Sequence, residues 1–203
     1  MLEAMASSSG TLGKKQLTHE RIVDTAARAI RRAGFNGVGV ADIMKEAGLT
    51  HGGFYAHFES RDALVCEALD RAGRDSAERL AKSASQRQAR GVGAFQAFVE
   101  RYLSDAHLAS LESGCPVAAL ASEIPRQSRE VSLAAAQRVR SLVAAVRDVL
   151  PAGTPPEAAG AIAAQLVGAL QLARALGDNA EGKALLAATR RALLAQHEAP
   201  PSR

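Results

Sequence analysis

Tryptophan is absent and aromatic residues make up only 3% of the 203-residue chain. Alanine, by contrast, occurs 44 times. Strands draw on β-branched and aromatic side chains, so this composition argues against sheets and for closely packed helices. Cysteine occurs twice, at Cys66 and Cys115. Two are too few for a disulfide framework, and no Cys/His spacing matches a zinc site. No metal or cofactor is therefore expected. Residues 1–13 lack a basic start followed by an apolar core, so no secretory signal is read there and a cytoplasmic location is expected. Ser-His-Asp constellations are also not evident, and the histidine preceding Cys115, His107, is eight residues away across a break. An enzyme is not expected.

What is present centres on residues 40–58. Val40, Ile43, Met44 and Ala47 have the i, i+3, i+4, i+7 spacing of a helix with one buried face. Gly48 follows, suited to end that helix in a left-handed conformation. Thr50 supplies a cap for a second helix carrying Phe54, Tyr55 and Phe58. Helix, glycine-centred turn, helix is the arrangement that lays a recognition helix into the DNA major groove.

Five segments extend the pattern: Ala33-Gly34-Phe35, Val40-Ala-Asp-Ile43, Ala47-Gly-Leu-Thr50, Gly53-Phe-Tyr-Ala-His-Phe58 and Ser60-Arg-Asp-Ala-Leu64. With these, residues 18–64 resemble the DNA-binding domain of the TetR family of bacterial transcriptional regulators. Gly39 stands where the family often has a Thr or Ser cap, Met44 where a small Ala is common, and Arg61 where Lys is frequent. The resemblance implies an all-α homodimer that binds double-stranded operator DNA and releases it when a small molecule occupies the C-terminal helices. It divides the chain into a flexible basic extension (1–17), a helix-turn-helix domain (18–62) and an effector-binding and dimerisation domain (63–203).

The DNA contacts expected on this basis are Val40, Thr50, His51, Gly52, Gly53, Tyr55, His57 and Arg61, with Lys14 and Lys15 as an arm ahead of a helix capped by Thr18. Phe54 and Phe58 would be core. Net charge is +4 with a pI near 9.4. Residues 14–32 hold six basic residues (Lys14, Lys15, Arg21, Arg28, Arg31, Arg32) against Glu20 and Asp24, so the excess lies beside the reader.

Downstream, Ser60 caps a long helix to about Ala84, and helices follow over residues 94–108, 117–122, 128–150, 157–176 and 181–196. Between Glu157 and Arg174 no charge occurs. Those sixteen residues, rich in Ala and Gly, fall short of the ~20 strongly apolar residues of a membrane span, and no membrane association is expected. A helix apolar all round is buried in protein. Gly160, Ala164 and Gly168 make a stripe with almost no side chain; with Leu166, Leu170, Leu186 and Leu193 they are the expected dimer interface.

By the same resemblance, Phe98, Tyr102, His107, Cys115, Val117, Leu120, Leu142 and Gln165 are the candidate effector lining. With no clustered charge, such a pocket suits a small apolar or amphipathic ligand. Cys115 at a helix start also permits a thiol-reactive, electrophilic effector. The expected function is a repressor released by a small-molecule or thiol-reactive effector. The alternatives are a redox or electrophile sensor without a reversible ligand, an activator, and a non-specific architectural DNA binder.

Overall fold

The computed structural model describes residues 9–197. Among them are α1 (Ser9–Ala33), α2 (Val40–Glu46), a 3-10 turn over His51–Ala56 and α3 (Arg61–Gln88). Then come α4 (Ala94–Tyr102), α5 (Asp105–Ala109), α6 (Pro116–Leu120) and a second 3-10 turn, Ile124–Arg126. The last three helices are α7 (Arg129–Arg147), α8 (Ala158–Leu176) and α9 (Ala180–His197). No strand occurs among the described residues. The fold is all-α.

Two hydrophobic clusters organise these helices. In the first, Ile22, Ala26 and Ile30 of α1 meet Ile43 and Met44 of α2, Phe54 and Phe58, and Leu64, Leu69 and Ala72 of α3. Leu120 of α6 and Val131 and Ala135 of α7 close it. The second joins Phe95, Phe98 and Tyr102 of α4 to Cys115, Val117, Val146, and the inner faces of α8 and α9. α3 runs through both, with Leu69 in the first and Leu80 packed against the second. Its start is fixed by the Ser60 hydroxyl, which accepts from the Ala63 N–H at 3.0 Å.

Three local expectations change. Thr18 does not cap α1, which begins at Ser9; its hydroxyl donates to the Lys14 carbonyl one turn back, at 3.0 Å. Lys14 and Lys15 thus ride on a helix rather than a free arm, and residues 1–8 of the expected extension lie outside the described residues. The segment after Thr50 is 3-10 rather than α-helical, and the Thr50 hydroxyl makes no capping hydrogen bond to it, consistent with adjacent Gly52 and Gly53, which weaken an α-helix. The helix expected over 94–108 divides into α4 and α5 at Leu103 and Ser104, where the Ser104 hydroxyl accepts from the His107 N–H.

α8 corrects the dimer assignment. By length and composition it suffices to cross a membrane, yet Ile162, Ala163, Leu166, Leu170 and Ala173 pack inside this chain. Leu166, Leu170 and Leu186 are fully buried and Leu193 nearly so; they belong to the intrachain core, not to a free interface. The open face is the small-residue one. Gly160 and Ala164 are exposed, Gly168 is half-buried, and Leu172 is 60% exposed on the same side. Leu166→Ala is accordingly expected to lower unfolding free energy by about 2–5 kcal/mol through a core cavity, measured by urea denaturation at fixed protein concentration.

Candidate functional site

The turn that aims the reading segment is built by backbone hydrogen bonds. After α2, the Leu49 N–H donates to Met44 O at 2.8 Å and the Gly48 N–H to Lys45 O at 3.0 Å, with Gly48 at φ +71°. This is the Schellman closure, which needs a left-handed residue at that point. At the other end of α2, Asp42 Oδ2 accepts from the Gly39 N–H at 3.2 Å, so the helix start is held although Gly39 has no capping side chain. Met44 is fully buried, and its terminal methyl faces Gly53, where even an added Cβ would stand 3.7 Å away. Gly53 thus packs against α2, with room for a small side chain.

Phe54 and Phe58 stack in the core with centroids 5.6 Å apart. That register turns Thr50, His51, Gly52 and Tyr55 outward, all exposed, Tyr55 by 73%. Val40 is half-buried against the core. His57 is half-buried, its Nδ1 has no partner, and burial, then His19 and Lys15, lower its pKa. It offers a neutral hydrogen-bonding edge rather than a cation. Arg61 is not free: its guanidinium donates to the Phe35 carbonyl, tying the turn after α1 to the start of α3.

The basic stretch of α1 is also partly consumed within the fold. Arg31, 5% exposed, donates to Ala27 O at 2.8 Å and Gly114 O at 3.4 Å, and lies 3.9 Å from Asp75. Arg32 is paired with both Glu46 and Glu112. Beside them, the Glu123 carboxylate accepts from the Phe35 N–H at 3.0 Å. The segment around α6 thus clasps the end of α1.

Behind α6 is a cavity of about 190 Å3 between α3, α4 and α7. Leu80, Tyr102, Cys115, Val117 and Leu142 line it, together with Arg74 and Arg138. A smaller cleft of about 30 Å3 shares Ser76, Leu80 and Tyr102 and reaches His107. The His107 Nε2 accepts from the Cys115 N–H at 3.0 Å, so its proton sits on Nδ1, which donates to the Tyr102 carbonyl at 2.7 Å. The ring therefore bridges the end of α4 to the start of α6.

Residues 22–68 match the family described as bacterial regulatory proteins, tetR family, and residues 91–191 match the C-terminal domain of LmrA/YxaF-like transcriptional regulators. An uncharacterised HTH-type transcriptional regulator of Mycobacterium tuberculosis is 30% identical over 170 residues, covering 78% of this chain and 85% of its own length. The chain belongs to the TetR family. The HTH-type transcriptional repressor NemR of Escherichia coli is 24% identical over 136 residues, spanning 67% of this chain and 68% of NemR. Its structure in the reduced form superposes with a TM-score of 0.69 at 21% identity, covering 86% of this chain and 95% of NemR. A TetR-family regulator from Agrobacterium tumefaciens superposes with a TM-score of 0.71 at 25% identity, covering 91% and 100%. This TetR-family chain is thus a DNA-binding transcriptional regulator, and its family and fold are those of regulators rather than enzymes.

Of the expected effector lining, Tyr102, Cys115, Val117 and Leu142 meet at the cavity, and His107 lines the adjoining cleft. Three residues do not. Phe98 is buried and stacks on Tyr102 at 6.3 Å. Leu120 belongs to the first hydrophobic cluster. Gln165 is exposed on the outer side of α8, because its neighbours Ile162 and Leu166 take the inward positions. The expectation of an uncharged lining also fails, since Arg74 and Arg138 arrive from helices far apart in sequence; nothing local marks them. The helix-start argument for Cys115 weakens as well: α6 has only five residues, and Cys115 is 4% exposed. Cys66 is outside the cavity, its thiol pushed up to about 11 by burial and nearby carboxylates.

Burial lowers the His107 pKa from 6.5 to about 4. The unfolded chain therefore takes up this proton first as pH falls. The stabilising contribution is complete above about pH 6.5 and lost progressively toward pH 4. Between pH 7.5 and 4.5, His107→Gln is expected to lose about 2–3 kcal/mol less stability than the parent chain, read as the difference between paired urea titrations.

Proposed function

We propose that the chain is a homodimeric repressor that leaves its operator when a small molecule fills the cavity behind α6. The observation that carries this function is the double attachment of α6. Cys115, Pro116 and Val117 form its cavity wall, while the following turn places Glu123 on the Phe35 N–H beside the helix-turn-helix. An occupant that displaces α6 thereby acts on the end of α1, and two distinct sites share one mechanical element.

Thr50, His51 and Tyr55 are the exposed side chains available to DNA, with Lys14 and Lys15 reaching the backbone from α1. The homodimer would pair the open faces of α8 and α9, which carry the exposed Gly160, Ala164, Leu172, Ala184, Ala188 and Ala192 and the half-buried Gly168. Such faces let helices approach closely, and a two-fold pair would read half-sites ~34–36 Å apart or a multiple of that. Ala164→Glu is expected to leave the monomer fold intact and shift the dimer to monomer, measured by sedimentation velocity.

A thiol-reactive effector is the second form of the signal. Support comes from Cys115 lining the same cavity and from the likeness to NemR, whose structure is that of a reduced form. In such a step an electrophilic alkene adds to Sγ, the new S–C bond replacing S–H and the proton passing to the neighbouring carbon. Gel-shift binding to DNA flanking the encoding gene tests both forms. Tyr55→Ala is expected to weaken the complex by about tenfold. Electrophile-induced release that vanishes in Cys115→Ser marks the covalent signal, and release unchanged by that substitution marks a non-covalent one. A complex without sequence preference at moderate salt would overturn the regulator function.

A further inference from the structure

The cavity has a charged end and a polar-starved end, and the two together define a ligand class. At the charged end, Asp70 of α3 is shared by Arg74, one turn along the same helix, and by Arg138 of α7, whose Nη1 stands 3.0 Å from Oδ1. One carboxylate against two guanidiniums leaves a single positive charge over. Arg138 is held deep, with its side chain 18% exposed, and burial followed by the nearby Arg74 works against its charge. An anion at this point relieves both effects.

Space for this arrangement is provided in α3. A Cβ on Gly73 would lie 2.6 Å from Arg138 Cδ and 2.9 Å from Nη1, so the guanidinium rests in the notch that glycine leaves. α3 and α7 run side by side in the same direction, Asp70 meeting Arg138 while Leu80 and Leu142 pack in the second cluster. The wall between these levels is mostly apolar, formed by Ala77, Val117 and Ala145, with the hydroxyls of Ser76 and Ser141 beside them. Beyond it, Tyr102 is 2% exposed and its hydroxyl has only the neighbouring Cys115 thiol, a weak partner, with no oxygen or nitrogen in hydrogen-bond reach. A buried hydroxyl is costly in that state, and a polar ligand atom would satisfy it.

We propose that the cavity binds a small amphipathic carboxylic acid, with its carboxylate between Arg74 and Arg138 and its apolar body directed along Leu142 toward Tyr102. The inference rests on the effector-released regulator function and names the effector's chemistry. A single surplus charge suits a monoanion rather than a phosphate dianion. The volume of about 190 Å3 slightly exceeds the roughly 150 Å3 of an apolar cavity that holds benzene, which admits one ring with a short acid arm, or a medium-length fatty acid.

The test is isothermal titration calorimetry at neutral pH with hydrocinnamate and octanoate against their neutral counterparts, hydrocinnamyl alcohol and octanol. The acids are expected to bind about tenfold or more tightly than the alcohols. Arg138→Gln should remove that preference, and Arg74→Gln, a mostly exposed position that does not threaten folding, should reduce it. Gly73→Ala retains every charge and displaces only Arg138, so it should narrow the preference too. Equal binding of acids and alcohols, no binding of either, or a preference that survives both arginine substitutions would overturn the proposal. Calorimetry reads the cavity without DNA, so absence of an operator complex would count against the repressor function alone.

Discussion

A buried cation holds the two halves of this structure in register. The Arg31 side chain is 1% exposed, and burial lowers its pKa to about 10, which leaves it charged at neutral pH. A charge in that position is tolerated only while its partners surround it. Those partners come from three places: Ala27 within α1, Gly114 just before α6, and Asp75 in the middle of α3. Moving any one of the three segments alone leaves an incompletely solvated guanidinium. The end of α1, the approach to α6 and the central turn of α3 are therefore obliged to move together.

That obligation gives the proposed effector cavity a mechanical route to the DNA-facing surface. Gly34 ends α1 at φ +80°, and a Cβ there would fall 2.5 Å from the Glu123 carboxylate. The backbone and the carboxylate can meet because no side chain separates them. Immediately beyond, Phe35 gives its N–H to Glu123 and its carbonyl to Arg61, which begins α3. The helix-turn-helix is thus gripped at both of its chain connections, and the grip on one side belongs to the segment that also walls the cavity. Coupling between ligand and DNA sites in proteins is commonly about 1–3 kcal/mol, a scale that the loss of one or two charge-assisted hydrogen bonds reaches.

The reading head was legible in the sequence because its determinants are local. Gly48 after Ala47, the Phe54 and Phe58 spacing and the Ser60 cap each act within a few residues, and each appears in the structure as expected. Thr18 was ambiguous for a physical reason: the same hydroxyl that caps a helix can bond back into one, and it does. α8 was harder. A helix apolar on every side does not declare which side meets its own chain, and the leucines, with more area to bury, took the inner face while Gly160 and Ala164 were left outside. Larger side chains gain more from burial, and that asymmetry was the available signal.

Charge was the property least readable from sequence order, and it failed in both directions. Six basic residues between Lys14 and Arg32 place the positive excess of the sequence beside the reading head. In the structure Arg31 is internal and Arg32 is matched by two carboxylates, which leaves Lys14, Lys15, Arg21 and Arg28 exposed on that helix. Conversely, Arg74 and Arg138 lie on separate helices, and packing sets them around one aspartate at a cavity. A guanidinium's effect depends on the dielectric and the counter-charges around it more than on its neighbours in the chain. With few cations and few base-edge donors on the DNA side, the fit of two recognition segments to the spacing and shape of the duplex must supply much of the discrimination. In the proposed dimer, a displaced α6 would rotate each half and misalign both half-sites at once, which is why a reader that depends on spacing suits that switch.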